Sequence, residues 1–389
     1  MTDTASPLPL EGLLVVDFSQ FLSGPFATLR LADLGARVIK IERPGVGDLC
    51  RQIYLTDTEI GGDSTLFHAI NRRKESFAAD LKNPDDISRL RRLIGNADVL
   101  VQNFRPGVIS RLGLDYETLR KDHPRLVYGQ ISGYGDKGPW VPRPGQDLLA
   151  QARSGLLWLN GDREHAPTPV GLAIADTLAG HNLTEGILAC LIRRGITGEG
   201  GLVETSLFEA LIDFQFEVLT THFNDGFRLP DRSGVNNAHA YLSAPYGVYP
   251  TADGFLAVAM TPVPKLGALI GLDELTAYED PKSWFTERDA IKALLRDYLG
   301  KQPTEHWLSL LEPADIWCAP VYDWPAMRAH EGYRALELEQ MIRRAEDEVE
   351  IRTTRCPIRV DGDRLTSEKA APTIGMNTEA ITAEFGLDR

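Results

Sequence analysis

Leu13-Leu14-Val15-Val16-Asp17-Phe18 is a short apolar run with no helical spacing, closed by a carboxylate. That is the pattern of a strand covered on both faces of a sheet. Three further stretches read the same way: Val38-Ile39-Lys40-Ile41-Glu42, Asp98-Val99-Leu100-Val101-Gln102 and Leu126-Val127-Tyr128-Gly129-Gln130-Ile131. Helical patterns separate them, including Pro25 to Leu34 and Asp85 to Ile94. Short buried strands alternating with helices predict βαβ units, hence an α/β fold with a Rossmann-like, mainly parallel sheet. Such sheets bind ligands beyond the carboxyl ends of their strands, which directs attention to the loops after Phe18, Glu42, Gln102 and Ile131. No Walker loop is present, and no G-x-G-x-x-G follows the first strand. Gly45-Val46-Gly47 after Pro44 reads as a turn, so the rhythm carries no nicotinamide site.

At 389 residues the chain is too long for one ordinary core, and two domains are expected. The hydrophobic share of 43% and charged share of 25% are those of a soluble globular protein. A net charge of −14 excludes nucleic acid as the natural partner, while a local arginine cluster still allows a small anionic ligand. Met1 to Leu10 is polar and contains proline, without the basic and apolar regions of a secretory leader. No apolar run reaches the roughly 20 residues that cross a membrane. The four cysteines, Cys50, Cys190, Cys318 and Cys356, are scattered, and the eight histidines show no ligand pairing. Reduced thiols, a cytoplasmic location, no metal and no membrane partner are the expectations.

Farther on, Thr221 to Tyr241 is polar and loop-like. Ala244 to Met260 reads as a hairpin around Thr251-Ala252-Asp253-Gly254, followed by helices at Glu287 to Leu299 and Thr304 to Leu311. A strand-like stretch at Val349 to Val360 and a helix at Thr378 to Phe385 close the chain.

Asp176 stands at the junction between the apolar run Val170 to Ala175 and a long amphipathic segment, Thr177 to Arg194. Alone, it reads as the N-cap of that helix, where free backbone N–H groups and the helix dipole hold a carboxylate ionised. A cap and a nucleophile are compatible roles. Other motifs follow one another in order. They are Leu10-Glu11-Gly12-Leu13 into Asp17-Phe18-Ser19, Ser23-Gly24-Pro25, and Leu34-Gly35-Ala36-Arg37 through Glu42-Arg43-Pro44. Next come Asn103-Phe104-Arg105-Pro106-Gly107 with Arg111-Leu112-Gly113, and Ser132-Gly133-Tyr134-Gly135. Gly198-Glu199-Gly200-Gly201 into Ser206-Leu207, Ala244-Pro245-Tyr246-Gly247, Cys318-Ala319-Pro320-Val321 and Ala371-Pro372-Thr373-Ile374-Gly375 complete the set. Together they resemble the class III coenzyme A transferases, the formyl-CoA:oxalate and crotonobetainyl-CoA:carnitine CoA-transferase type, from about residue 8 to 387.

The resemblance implies a CoA-transferase with Asp176 as covalent nucleophile, acyl-CoA and small carboxylic acids as substrates, and no cofactor beyond coenzyme A as co-substrate. It implies coenzyme A contacts at Arg43, Lys74, Asn103, Phe104, Arg111 and Tyr134. The chemistry suits the ligand: phosphates call for Arg and Lys, and Asn103 and Phe104 suit an adenine edge and face. Gly133 and Gly135 are candidate backbone donors to an oxyanion. The implied architecture is a large domain over residues 1–225, a small α/β domain over 226–325, and a segment over 326–389 returning to the first. A homodimer of interlocking chains is implied as well. The related α-methylacyl-CoA racemases use a His/Asp pair, but their Gly-His-Asp triplet is Gly145-Gln146-Asp147 here, and an amide cannot serve as the base. A non-catalytic acyl-CoA binding protein is a further alternative. Two departures argue against oxalate as acceptor: Leu22 replaces a glutamine before Ser23-Gly24-Pro25, and no glycine-run loop occurs between Thr221 and Tyr246. Asn377 stands where many members carry a histidine.

Overall fold

The computed structural model describes residues 7–344 and 346–388. The chain divides into two compact units. The first comprises the described parts of Met1–Ala150, Ala173–Leu211 and Leu336–Arg389; the second comprises Gln151–Leu172 and Ile212–Ala335.

The first unit is built on a parallel sheet of six strands: β1 (Leu14–Asp17), β2 (Arg37–Glu42), β3 (Glu75–Ala78), β4 (Val99–Gln102), β5 (Val127–Ser132) and β6 (Gly201–Ser206). They lie in the order β3-β2-β1-β4-β5-β6, each pair parallel. This is the doubly wound arrangement, and its direction of winding reverses between β1 and β4. The α/β class and parallel sheet read from the sequence are those of the molecule. The strands β3 and β6, at the two edges, were not among the expected four.

Alternation along each strand feeds two layers. Leu14, Val16 and Phe18 join Ile39, Leu100 and Tyr128 in a core with Leu90, Leu93 and Ile94 of one helix (Pro84–Ile94) and Ile381 of another (Thr378–Phe385). Asp17 points to the other face, where it meets helix α1 (Ser23–Asp33) through Thr28. The long helix α2 (Ile174–Thr197) covers β5 and β6 on that face and lies against α1. Gly129 of β5 permits this approach, since a Cβ there would stand 3.0 Å from Ile187 and 3.1 Å from Leu183.

The open edge of β3 is closed by the end of the chain. Asn377 accepts the Ser76 N–H at 3.0 Å and Thr378 accepts the Ala78 N–H at 2.9 Å. This gives Asn377 a structural task, covering an edge that would otherwise pair with another chain.

The second unit holds a three-stranded antiparallel sheet, with Phe255–Val258 between Gly247–Pro250 and Cys318–Pro320. Helices Val263–Ile270, Arg288–Leu299 and Thr304–Leu311 pack on it around Tyr249, Leu256, Leu295 and Trp307. The expected hairpin and both expected helices are present. Among the described residues, no helix is long and apolar enough to cross a membrane.

Candidate active site

Asp176 lies in the first turn of α2, which begins at Ile174. The cap position belongs to Ala173, which makes no side-chain cap bond, so the expected N-cap role is corrected. The apolar run before Asp176 reads equally as a strand or as the opening of a helix, and packing decides for the helix. The carboxylate of Asp176 instead lies by the start of a different helix. The hydroxyl and the backbone N–H of Ser23, the first residue of α1, both act to lower its pKa. A first-turn N–H has no partner within its own helix, and the positive end of the α1 dipole faces the anion.

Three glycines make this meeting possible. Gly180 sits one turn after Asp176, and a Cβ there would come within 2.8 Å of the Ser23 carbonyl oxygen and of the Phe26 ring. Gly133 and Gly145 touch backbone to backbone, a Cβ on Gly133 falling 2.6 Å from the Gly145 Cα. The second contact brings Asp147 to the carboxyl end of β5, where its Oδ2 accepts the Asp176 N–H at 3.1 Å. Burial, and then the negative charge of Asp147, raise the Asp176 carboxyl to about 6, against the opposing effect of the Ser23 hydroxyl and N–H. At neutral pH such a group is largely ionised yet more basic than an ordinary aspartate, which suits a nucleophile. Ser23 and Asp147 were not singled out in the sequence as site residues. The signal was available only as the Ser-Gly-Pro and Gly-Gln-Asp motifs that contain them.

The expected coenzyme A contacts separate into two groups. Arg43 and Phe104 line one cavity of about 160 Å³, with Phe18, Gln20, Asp80, Leu81 and Lys82 among its other walls. It opens beside the point where the sheet reverses direction, and Lys82, which the sequence reading passed over, supplies its second cation. Arg111 is exposed on a short helix (Val108–Arg111), with its guanidinium alongside Gly107 of the neighbouring turn.

The remaining three are engaged inside the protein. Lys74 is fully buried, its ammonium held by Asp17 at 3.1 Å, Thr28 at 2.7 Å, Asn71 at 2.9 Å and the Pro25 carbonyl at 2.9 Å. Nothing of it is left for a phosphate. Asn103 uses both ends of its amide on one residue: it accepts the Gln20 N–H at 2.8 Å and donates to the Gln20 carbonyl at 2.7 Å. Tyr134 is buried against Trp140 and Phe208, and its hydroxyl donates to the Pro144 carbonyl at 3.2 Å. Of the two glycine donors expected for an oxyanion, Gly135 gives its N–H to Ser132 at 2.9 Å.

Phe104 also borders a larger cavity, about 380 Å³, beyond the ends of β4, β5 and β6. Asp115, Asp136, Glu204 and Glu209 line it, an unfavourable place for phosphates. Among the described residues, no cluster of three or more His, Cys, Asp or Glu side chains is placed to hold a metal ion.

The fold and site together define an α/β enzyme of the doubly wound class, with a basic carboxylate at a helix N-terminus and an aromatic-walled cavity at the switch of the sheet, lined by Arg43 and Lys82 together with Glu42 and Asp80. CoA-transferase family III matches residues 10–378, and the chain belongs to that family and is a CoA-transferase. It is 38% identical to an acetyl-CoA:oxalate CoA-transferase of Acetobacter aceti over 335 residues, 83% of this chain and 84% of that one. It is 33% identical to a succinate–glutarate CoA-transferase of Agrobacterium fabrum over 390 residues, covering 97% and 96%. Among solved structures, an Asp-to-Ala mutant of Rv3272 from Mycobacterium tuberculosis superposes with a TM-score of 0.84 at 28% identity, covering 97% and 99%. A CAIB/BAIF family protein from Brucella suis gives 0.82 at 28% identity, covering 98% and 100%.

Proposed function

We propose that this protein transfers coenzyme A from an acyl-CoA thioester to a carboxylic acid through covalent intermediates on Asp176. The observation that carries this reading is the Asp176 carboxylate itself, partly desolvated, made more basic by Asp147 and set by Ser23 at the start of α1. One carboxylate oxygen attacks the thioester carbonyl. The carbon–sulfur bond breaks, leaving a mixed anhydride on Asp176 and coenzyme A as thiolate. The thiolate then attacks the aspartyl carbonyl, expelling the first acid as a carboxylate and leaving an aspartyl-CoA thioester. The acceptor carboxylate attacks that thioester and frees the thiolate, which in turn attacks the acceptor's acyl carbon and restores the Asp176 carboxylate. Each tetrahedral intermediate at the aspartyl carbonyl carries a negative oxygen, for which the hydroxyl and N–H of Ser23 are the proposed donors. The thioester energy is conserved throughout, whereas hydrolysis would discard it.

Coenzyme A is held in this reading by the cavity at the sheet switch, with Arg43 and Lys82 toward its phosphates and Phe104 toward its adenine; Arg111, exposed beside Gly107, is kept as a further phosphate contact. Lys74, Asn103 and Tyr134 are left out of the contact set, because their polar groups are engaged elsewhere. Relatives named for oxalate, and for succinate and glutarate, point to a dicarboxylic acid as the class of acceptor. We place the enzyme in the cytoplasm as a homodimer. Supporting the dimer, Phe214, Phe216, Phe223, Phe227 and Leu229 of the second unit are each at least 50% exposed, a larger apolar surface than a monomer normally leaves in water.

The test is the reaction. Acetyl-CoA and succinyl-CoA are offered with oxalate, succinate, glutarate and monocarboxylic acids, and products are read by mass spectrometry. The coenzyme A ester of the added acid is expected, with no α-deuterium gained from heavy water. Rapid deuterium exchange into a 2-methylacyl-CoA, with no transfer to any acid, would replace the transferase by a racemase. Binding of acyl-CoA with neither reaction would reduce the protein to a carrier.

A further inference from the structure

The loop Phe18–Leu22 joins β1 to α1 and delivers Ser23 to the nucleophile. It contains an unfavourable backbone: Phe21 has φ of 64°, a left-handed value that a bulky residue rarely adopts. Such a conformation persists only where the surroundings over-determine it. Here they do, residue by residue. The Asp17 carboxylate accepts both the backbone N–H and the hydroxyl of Ser19. Lys40 donates to the Ser19 carbonyl at 2.7 Å. Asn103 takes both backbone groups of Gln20, and Asp48 accepts the Phe21 N–H at 3.1 Å. Lys40 is wholly buried and anchored to Asp48 at 2.8 Å, so the clamps on Ser19 and Phe21 are tied to each other. Burial alone would raise the Asp17 carboxyl, but Lys74, Lys40 and the hydroxyls of Ser19 and Thr28 together hold it below the usual carboxylate range.

We infer that Asn103 and Lys40 are positioning residues for Asp176, acting through the Ser19–Leu22 loop to fix Ser23 and the start of α1 beside its carboxylate. The inference rests on Asp176 being the nucleophile. Neither side chain reaches the carboxylate. They hold backbone groups four and three residues before Ser23, at the point where the sheet reverses its winding. A shift of the loop by a fraction of an ångström would withdraw the Ser23 hydroxyl and N–H, leaving the carboxylate free to turn away from the thioester. The effect belongs in the rate of the covalent step and not in the affinity for coenzyme A.

The experiment compares Asn103→Leu and Lys40→Met, each alone and combined with Ser23→Ala, alongside Asp176→Ala. The fastest pair from acetyl-CoA or succinyl-CoA with oxalate, succinate or glutarate is the assay, and circular dichroism verifies folding. Expected for Asn103→Leu is a kcat lower by about 10- to 100-fold, the scale of misplacing a reacting group, with KM for the acyl-CoA unchanged. Combined with Ser23→Ala, it should cost little more than Ser23→Ala alone, because both act on the same contact. Lys40→Met leaves Asp48 and Asp17 short of a cation and is the variant at risk of misfolding; Asn103→Leu adds no uncompensated charge and carries the test in that event. An inactive Asp176→Ala together with an Asn103→Leu that keeps its kcat overturns the inference. So does an Asn103→Leu loss that multiplies fully with that of Ser23→Ala, or one that appears only in KM. A near-normal Asp176→Ala overturns the parent reading instead.

Discussion

Lys74 and Lys82 flank the same edge strand, and the protein uses them in opposite ways. Lys74, just before β3, is sealed among Asp17, Thr28, Asn71 and a carbonyl. Lys82, beyond its other end, is exposed at the mouth of the cavity that Arg43 and Phe104 line. One charge sets the geometry of a dry platform under the first helix; the other is available to a ligand. The residue type says nothing of the difference, which is made by the side of the sheet edge on which each ammonium emerges. In the proposed reading the same division runs through the whole site: Asp17, Lys40 and Asn103 build, whereas Arg43, Lys82 and Arg111 would receive the ligand.

The largest effect that this contrast predicts is on stability. Lys74→Met removes the partner of a buried carboxylate and should cost about 3–5 kcal/mol, the scale of breaking a buried ion pair from one side. Denaturant unfolding of the variant measures it. A variant as stable as the parent, with a raised KM for acyl-CoA, would move Lys74 from the building group to the receiving one. Next in size are Arg43→Ala and Lys82→Ala. Each should weaken acyl-CoA binding by about 1.5–3 kcal/mol with folding intact, as for a hydrogen bond to a charged group. The loss should shrink for an acyl-pantetheine ester, which lacks the nucleotide phosphates. If KM is untouched in both variants, the cavity at the sheet switch is not where coenzyme A binds.

The smallest predicted effect is a displacement along the pH axis. Transfer requires the Asp176 carboxylate, so kcat should fall as pH drops through about 6. For stability the sign is opposite. Because folding raises this carboxyl above its value of 3.8, the folded protein takes up the proton first, and the group favours folding at low pH and opposes it as pH rises through about 6. Asp147→Asn removes the second of the two causes and leaves burial, the larger one. The acidic limb of the rate profile should therefore move part of the way down. An unmoved limb would mean that Asp147 does not act on Asp176 through its charge.

Much of the sheet was legible because central parallel strands are apolar on both faces, and the runs at residues 13, 38, 98 and 126 have no competing reading. The edge strands escaped notice for the converse reason. Glu75-Ser76-Phe77-Ala78 and Gly201-Leu202-Val203-Glu204-Thr205-Ser206 break the apolar run with polar residues, among them the half-buried Glu75 and the exposed Glu204. Asp176 was legible as a carboxylate near the start of a helix, but not as a guest at the start of another helix. That contact joins residues 23, 147 and 176 through glycines whose lack of a side chain matters only once the chain is folded. The segment Gln151–Leu172 belongs to the second unit without any shift in composition to mark it.

The central claim is covalent chemistry on Asp176, and trapping tests it most directly. The protein is incubated with its acyl-CoA donor, quenched with hydroxylamine, digested and mapped by mass spectrometry, with Asp176→Ala assayed in parallel. The account predicts a hydroxamate on Asp176 that appears only when the acyl-CoA is present, and a loss of at least about a thousandfold in kcat for the alanine variant. Transfer at a near-normal rate by Asp176→Ala, or donor-dependent modification of a different residue, would contradict it.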